Sequence, residues 1–294
     1  MRENNRAVIS ALFSAALAAA WMLLVCSCSL GGDLEAWRKK AIEANGGGPG
    51  NGPASGGLVE MARVPGGTFQ LGQNLGTGGG DETPVSTVTL TGFYMGKYEV
   101  TQAQYQAVMG SNPSNSRGDN LPVERVTWYD AAEFCNALSE REGLAKAYTI
   151  SGSTVTPNWS ANGYRLPTEA QWEYAAKGGN GSPGNYTYAG SNDPDEVAWY
   201  WNNSNYHTHD VGTKAPNGLG LYDMSGNVWE WCWDWYGEYP GTVQTDPVGA
   251  SSGSDRVLRG GSWGDTAEYV RSTFRDYDYP SNRYGSIGFR LVRP

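Results

Sequence analysis

Gly220-Leu221-Tyr222-Asp223-Met224-Ser225-Gly226-Asn227-Val228-Trp229-Glu230-Trp231-Cys232-Trp233-Asp234-Trp235 is the stretch that decides the fold. Its tryptophans fall at every second position. An extended backbone turns successive side chains to opposite faces. The spacing therefore predicts a strand with large rings on one face and Val228, Glu230, Cys232 and Asp234 on the other. Rings at that density are core material, so this strand is expected at the hydrophobic centre of the domain.

The composition around it agrees. The chain has 294 residues, with Gly 41, Trp 12 and Tyr 18, and few long helical patterns. This predicts a loop-rich α+β domain with a core of aromatics and short strands. The formal net charge is −9, so no nucleic-acid partner is expected, because phosphate binding needs clustered Lys and Arg. With His at 2, a multi-histidine metal centre or His-based catalysis is disfavoured from the start.

The first residues read as an export signal. Arg2 and Arg6 precede an apolar run, Ala7–Val25, that ends in Val25-Cys26-Ser27-Cys28. A cysteine after a small residue, closing an apolar segment, resembles a bacterial lipobox. On this reading residues 1–27 are removed and Cys28 carries lipid; plain secretion and a retained apolar helix are the alternatives. The run Gly46–Gly57 is almost all Gly, Pro, Ser, Asn and Ala. Residues 28–57 are therefore expected to form a flexible tether. The expected location is the cell surface, as an outer-membrane lipoprotein held by its lipid, with the periplasmic leaflet as the other possibility.

From Leu58 onward the patterns are those of one domain, 58–294. Met61–Leu71 reads as strand, Pro-Gly-Gly turn, strand. Strands follow over 85–90 and 93–100. Helices are expected over 102–109 and 126–139, with Thr101 and Thr127 as caps, and 164–179 reads as a strand end, a helix capped by Thr168 and a Gly stop. A hairpin with a Ser-Gly turn is expected over 147–159, and an irregular segment over 180–217.

The terminal stretch, 256–292, is of two kinds. Arg256–Trp263 and Ile287–Val292 read as buried strands. Between them lie Asp265, Thr266, Tyr269, Phe274, Asp276, Tyr277, Asp278, Tyr279, Ser281, Asn282, Tyr284, Gly285 and Ser286. Tyr gives large rigid contact area, and Ser, Gly and Asn give adaptable hydrogen bonding, which is how binding loops are composed. These residues, with Trp263 at the edge, are the candidate ligand-binding face. Arg271, Arg275 and Arg283 are expected to hold backbone carbonyls rather than ligand. Glu99 and Glu173 are expected to partner buried arginines such as Arg165. Cys135 and Cys232 are read equally as a disulfide or as two buried thiols. His207-Thr208-His209 is expected to be an ordinary hydrogen-bonded loop.

Five motifs now stand in order: 92–101, 164–176, 220–231, Arg-Gly-Gly-Ser-Trp at 259–263 and Gly-Phe-Arg-Leu-Val at 288–292. Together they resemble the formylglycine-generating enzyme (sulfatase-modifying factor) family, from Leu58 to Val292. The resemblance implies a C-type-lectin-like fold. It also implies two copper-binding cysteines after Arg-Gly-Gly-Ser, at positions that fall near Asp265 and Val270. A carboxylate and an isopropyl group do not replace two soft thiolates, so no copper and no oxidase activity are expected. The resemblance further implies calcium at Asp223, Gly226, Val228 and Glu230; the alternative is that Asp223 and Glu230 hold backbone amides without metal. A narrower resemblance is to retroelement-diversified lectin-fold proteins, including treponemal variable lipoproteins, whose variable region lies between the same two motifs. It implies a non-enzymatic display protein binding a protein or glycan ligand through a variable face. A formylglycine-generating oxidase and a lectin module of fixed specificity are the other readings.

Overall fold

A computed structural model describes residues 57–72, 79–180 and 186–294. The expected leader, the lipidation site Cys28 and nearly all of the tether lie outside them. The described elements are β1 (Met61–Val64), β2 (Gly67–Leu71), β3 (Ser86–Leu90), β4 (Phe93–Gly96), α1 (Gln102–Met109), α2 (Trp128–Arg141), β5 (Tyr148–Ser151), β6 (Thr154–Pro157), α3 (Glu169–Ala176), the single-turn α4 (Pro194–Val197), β7 (Trp229–Trp235), β8 (Gln244–Thr245), β9 (Arg256–Arg259), β10 (Arg275–Asp278), β11 (Ile287–Gly288) and β12 (Val292–Arg293). The fold is α+β, with short strands and few helices. Among the described residues no helix is long and apolar enough to cross a membrane.

The helices begin where the threonines stand. Thr101, Thr127 and Thr168 each accept a bond from the backbone N–H three residues on, and Gln104, Asp130 and Gln171 bond back. Each such box satisfies two otherwise orphaned donors. The second helix starts two residues later and runs two residues further than the pattern suggested, and buries Ala131, Phe134, Cys135 and Leu138.

The Pro-Gly turn after β1 is a corner, not a reversal. β1 pairs with β4 and β2 with β3 in one continuous antiparallel register, with Val64 opposite Phe93 and Gly67 opposite Leu90. Pro65-Gly66 thus faces Thr91-Gly92, and the two-stranded ribbon bends there from one sheet into another. The sheets are ordered β1-β4-β12 and β2-β3-β8.

The tryptophan strand behaves as its alternation requires. β7 is central in the sheet β10-β9-β7-β11. Trp229, Trp231 and Trp233 enter one core cluster with Trp128, Phe134 and Phe289. Cys232 enters another with Trp172, Met224 and Val257. The two cysteines thus sit in different clusters, as buried free thiols, which selects that alternative.

The terminal segment departs from its reading in two ways. Ile287–Val292 is not one strand: β11 runs parallel to β7, and β12 joins β4. Part of the interval read as loop is strand β10, paired antiparallel with β9. Buried Leu258 and Val257 lie opposite Asp276 and Tyr277, so the two faces of this edge strand each set a polar or exposed side chain beside an apolar partner.

What ties this segment down is ionic. Arg259 pairs with Glu173 of α3, Arg271 with Glu82 at 2.7 Å, Arg275 with Glu169 of α3 at 2.6 Å, and Arg290 with Glu230 of β7 at 2.6 Å. All of these side chains are buried. Arg283, expected to belong with them, does not: it is half exposed and 3.9 Å from Asp130. Glu173 is the expected partner of a buried arginine, but of Arg259 rather than Arg165. Glu99 pairs with no arginine among the described residues: it accepts from Asn227 Nδ2 at 2.7 Å and Val228 N at 3.0 Å. Arg165 instead donates to Gln171.

Removing one member of a buried pair strands a charge without solvent, at about 3–5 kcal/mol. Arg290→Met should therefore lose stability of that order in urea unfolding. Adding Glu230→Gln should recover part of the loss. A single-variant loss under about 1 kcal/mol would mean that the pair is not buried as described.

Candidate functional site

The candidate face is made of residues that the ionic frame leaves over. Val270, Arg271, Ser272, Thr273, Arg275 and Pro280 are buried. Trp263, Asp265, Thr266, Tyr269, Phe274, Asp276, Tyr277, Asp278, Tyr279, Ser281, Asn282, Tyr284, Gly285 and Ser286 flank them, and none of these is buried. Tyr279 is 58 % exposed, Tyr284 52 % and Tyr277 49 %. Large aromatic rings left this open are unusual for a surface with only structural duties.

Contacts bring these residues to one side. Trp263 Nε1 donates to the Gly285 carbonyl at 3.0 Å. Asn282 Nδ2 donates to Asp278 Oδ1 at 2.7 Å. The loop 279–285 rests on the start of α2, where Trp128 N donates to Pro280 O and Arg125 N to Tyr284 O. Burial, and then the charges of Asp265, Asp278 and Asp81, push the Asp276 carboxyl above its ordinary range, against the stabilising N–H of Tyr277. Those four carboxylates therefore share one neighbourhood. The face is acidic as well as aromatic.

Not every nominated residue is equally free. Phe274 is half-buried against Trp229 and Tyr269, with centroids 6.1 and 4.7 Å away. Asp265 closes its own turn, accepting from Ser262 N at 3.0 Å and Ser262 Oγ at 2.5 Å. Trp263 is pinned on three sides, by Asn227, Ser204 and Gly285.

One contributor escaped the sequence reading. Trp201 and Tyr206 belong to the stretch taken as merely irregular. They meet edge to face at 4.7 Å and are 47 % and 61 % exposed. Trp201 N donates to the Asp265 carbonyl at 2.8 Å, which joins this loop to the face. The signal was present: Tyr200-Trp201-Asn202-Asn203-Ser204-Asn205-Tyr206 has the composition of a binding loop. The neighbouring histidines are ordinary, as expected. His209 stacks on Trp199 at 3.7 Å and its Nε2 lies 2.8 Å from Ser204 O, while His207 Nδ1 meets Asn205 O.

Two of the residues implied for calcium, Asp223 and Glu230, accept hydrogen bonds from the protein. Both Glu230 oxygens are taken, by Arg290 Nε and Nη2 at 2.6 Å and by Trp172 Nε1 at 2.7 Å. Asp223 accepts from Gly212 N, and Gly226 N is bonded to Gly260 O. In this arrangement protein donors take both Glu230 oxygens and Asp223 Oδ2. Among the described residues no group of three His, Cys, Asp or Glu side chains converges as a metal site. At the positions implied for copper, Asp265 is engaged as above and Val270 is fully buried.

The frame and the face also differ in how much change they admit. A Cβ at Gly288 would lie 2.5 Å from the Val123 carbonyl, whereas one at Gly285 meets only Glu124 Oε2, at 3.6 Å. That oxygen is buried and has no hydrogen-bond partner among the described residues. Gly285→Ser should thus be neutral or mildly stabilising, and Gly288→Ala should cost about 1–3 kcal/mol as an overpacked site. Unfolding midpoints check this; the reverse order would contradict the division.

Comparison with known proteins bears on what such a face belongs to. Treponema denticola variable protein 1 superposes with a TM-score of 0.74 at 37 % identity, over 80 % of this chain and 95 % of that one. "Chaperone protein LppX" of Paenibacillus barcinonensis is 44 % identical over 70 % of this chain and 81 % of its own length. The formylglycine-generating enzyme of Streptomyces coelicolor is 29 % identical over 79 % of this chain and 88 % of its own. The description "Sulfatase-modifying factor enzyme 1-like domain" matches residues 52–294. With that match, and the C-type-lectin-like α+β fold of the formylglycine-generating-enzyme type, the chain belongs to the sulfatase-modifying-factor family.

Proposed function

We propose that this chain is a non-enzymatic, surface-displayed member of its family that binds a protein or glycan ligand through residues 263–286, and that this face is diversified in sequence. The observation that carries the reading is the division just described. Every nominated residue is at least partly exposed, while Val270–Thr273, Arg275 and Pro280 among them are buried anchors. Side chains on such a surface change without disturbing the pairs beneath them. Similarity to the treponemal variable protein supports the same reading.

Three further points fit. Asp265 and Val270 stand where oxidase relatives are expected to carry soft copper ligands, and the sequence has no cysteine after Cys232. The face is acidic, and the chain carries net −9, which disfavours nucleic acid. Lipid on Cys28, followed by the Gly-rich stretch, would hold the domain at the outer membrane while leaving the face free.

Sequencing the locus from independent isolates tests this. Substitutions should concentrate at exposed positions such as Tyr269, Tyr277, Tyr279 and Tyr284, and should spare Val270, Arg271, Arg275 and Arg290. Identical residues over 263–286 in every isolate, with no template repeat or reverse transcriptase nearby, would exclude a diversified face.

A further inference from the structure

Beside β10 lies a cavity of about 330 Å³, within the size range of small-ligand sites. It adjoins the tyrosine face: Arg275 lines it and lies over the Tyr236 ring, and two residues on, on the same side of the strand, Tyr277 packs against Tyr236 at 4.2 Å. The cavity walls are apolar and aromatic, formed by Leu71, Ala170, Trp235, Tyr239, Pro240 and Val248. Such walls accept methylene groups and offer little to a strongly hydrated ion.

The charged groups around the cavity are unequal. Glu169 is spent. It is held by Arg275 Nε and Nη2 at 2.6 and 2.8 Å and by the Tyr239 hydroxyl at 2.9 Å. Arg275 is spent in turn, on Glu169 and on the Asp81 and Gly237 carbonyls. Arg256 lies flat between the Trp128 and Trp235 rings, 3.8 and 3.4 Å from their centroids, and donates to the Trp233 carbonyl. Asp234 is different. It lines the cavity, is 5 % exposed, and forms no ion pair among the described residues. Its Oδ2 accepts from Glu169 N at 2.7 Å, and no bond to Oδ1 is made among the described residues. Gly249 leaves that oxygen room: a Cβ there would come within 2.7 Å of it. Exposed Glu238 adds negative charge among the lining residues.

Arg256 and Arg275 act on Asp234 from a distance, but neither forms an ion pair with it, so its Oδ1 faces a cavity with apolar walls without a cation in contact. We propose that this cavity binds an alkylammonium group, with Asp234 as its counter-ion and the aromatic and proline walls around its methylenes. Burial, and then the charge of Glu169, push the Asp234 carboxyl up to about 7. The ion pair therefore forms fully only where Asp234 has lost its proton and the amine, with a pKa of about 10, has kept its own.

The experiment is a heteronuclear NMR titration of the full chain with n-butylamine, Nα-acetyl-lysine methylamide and the neutral isostere n-butanol. Both amines should give saturable shifts at Gly249 and the Trp235 indole, roughly tenfold or more tighter at pH 8 than at pH 5.5. Butanol should show no such pH dependence, and Asp234→Asn should remove the preference for amine. Tighter binding of the lysine derivative would identify a protein lysine as the natural occupant, and tighter binding of butylamine a free amine. Equal responses to amine and alcohol, pH-independent amine binding, or shifts confined to other regions would overturn the proposal. Because the pH comparison uses the unsubstituted chain, it stands even if the Asp234 variant does not fold.

Discussion

The structure depends on arginine side chains of the terminal segment meeting carboxylates of the body in the dry interior. Arg259, Arg271, Arg275 and Arg290 come from the last forty residues, and Glu173, Glu82, Glu169 and Glu230 come from α3, the 80–82 turn and β7. Burying any of these ions alone would cost several kcal/mol. Burial alone would raise the Glu169 carboxyl, and Arg275 and Arg259 together more than cancel that, holding it below its ordinary range. Each guanidinium fork also takes backbone carbonyls: Arg259 those of Phe274 and Ser272, and Arg290 those of Gly96 and Tyr222. In a fold so poor in regular ladders, arginine supplies several donors from one rigid group.

This mode of attachment separates shape from surface. The segment is held from beneath, at positions spaced along it, so its outward side chains contribute little to its conformation. β10 illustrates the division. Arg275 points into the ion-pair layer while Tyr277 stands in the open, two residues away on an edge strand. The same division explains how one family can carry either chemistry or recognition. The Arg-Gly-Gly-Ser-Trp and Gly-Phe-Arg motifs belong to the frame, and what lies between them is free to be ligand-binding residues.

Much of the local structure was legible in the sequence, because it is written in short-range chemistry. The threonine caps of all three longer helices, the Ser-Gly hairpin and the alternation of β7 each follow from neighbours within a few residues. The exposure of the nominated residues was legible for a related reason: Tyr, Asp, Ser and Asn in a glycine-punctuated stretch make poor core. What was not legible depends on pairing across the chain. Nothing near Glu99 says that it will hold Asn227 and Val228 rather than an arginine. Arg283 looks like Arg271 and Arg275 in the sequence, yet no buried carboxylate meets it. Ile287–Val292 reads as one apolar run, and only the positions of β7 and β4 divide it between two sheets. The Trp201–Tyr206 loop had the right composition, but its contact with Asp265 is long-range.

The central claim is that frame and face are energetically separate. It is tested most directly by replacing Tyr269, Tyr277, Tyr279 and Tyr284 together with serine and measuring the free energy of unfolding in urea. Independent exposed sites usually lie within about 0.5 kcal/mol of neutral each. The account predicts a combined loss of no more than about 2 kcal/mol, with the near-ultraviolet signal of the buried tryptophans retained. A loss above about 4 kcal/mol, or collapse of that signal, would mean that the face is part of the core.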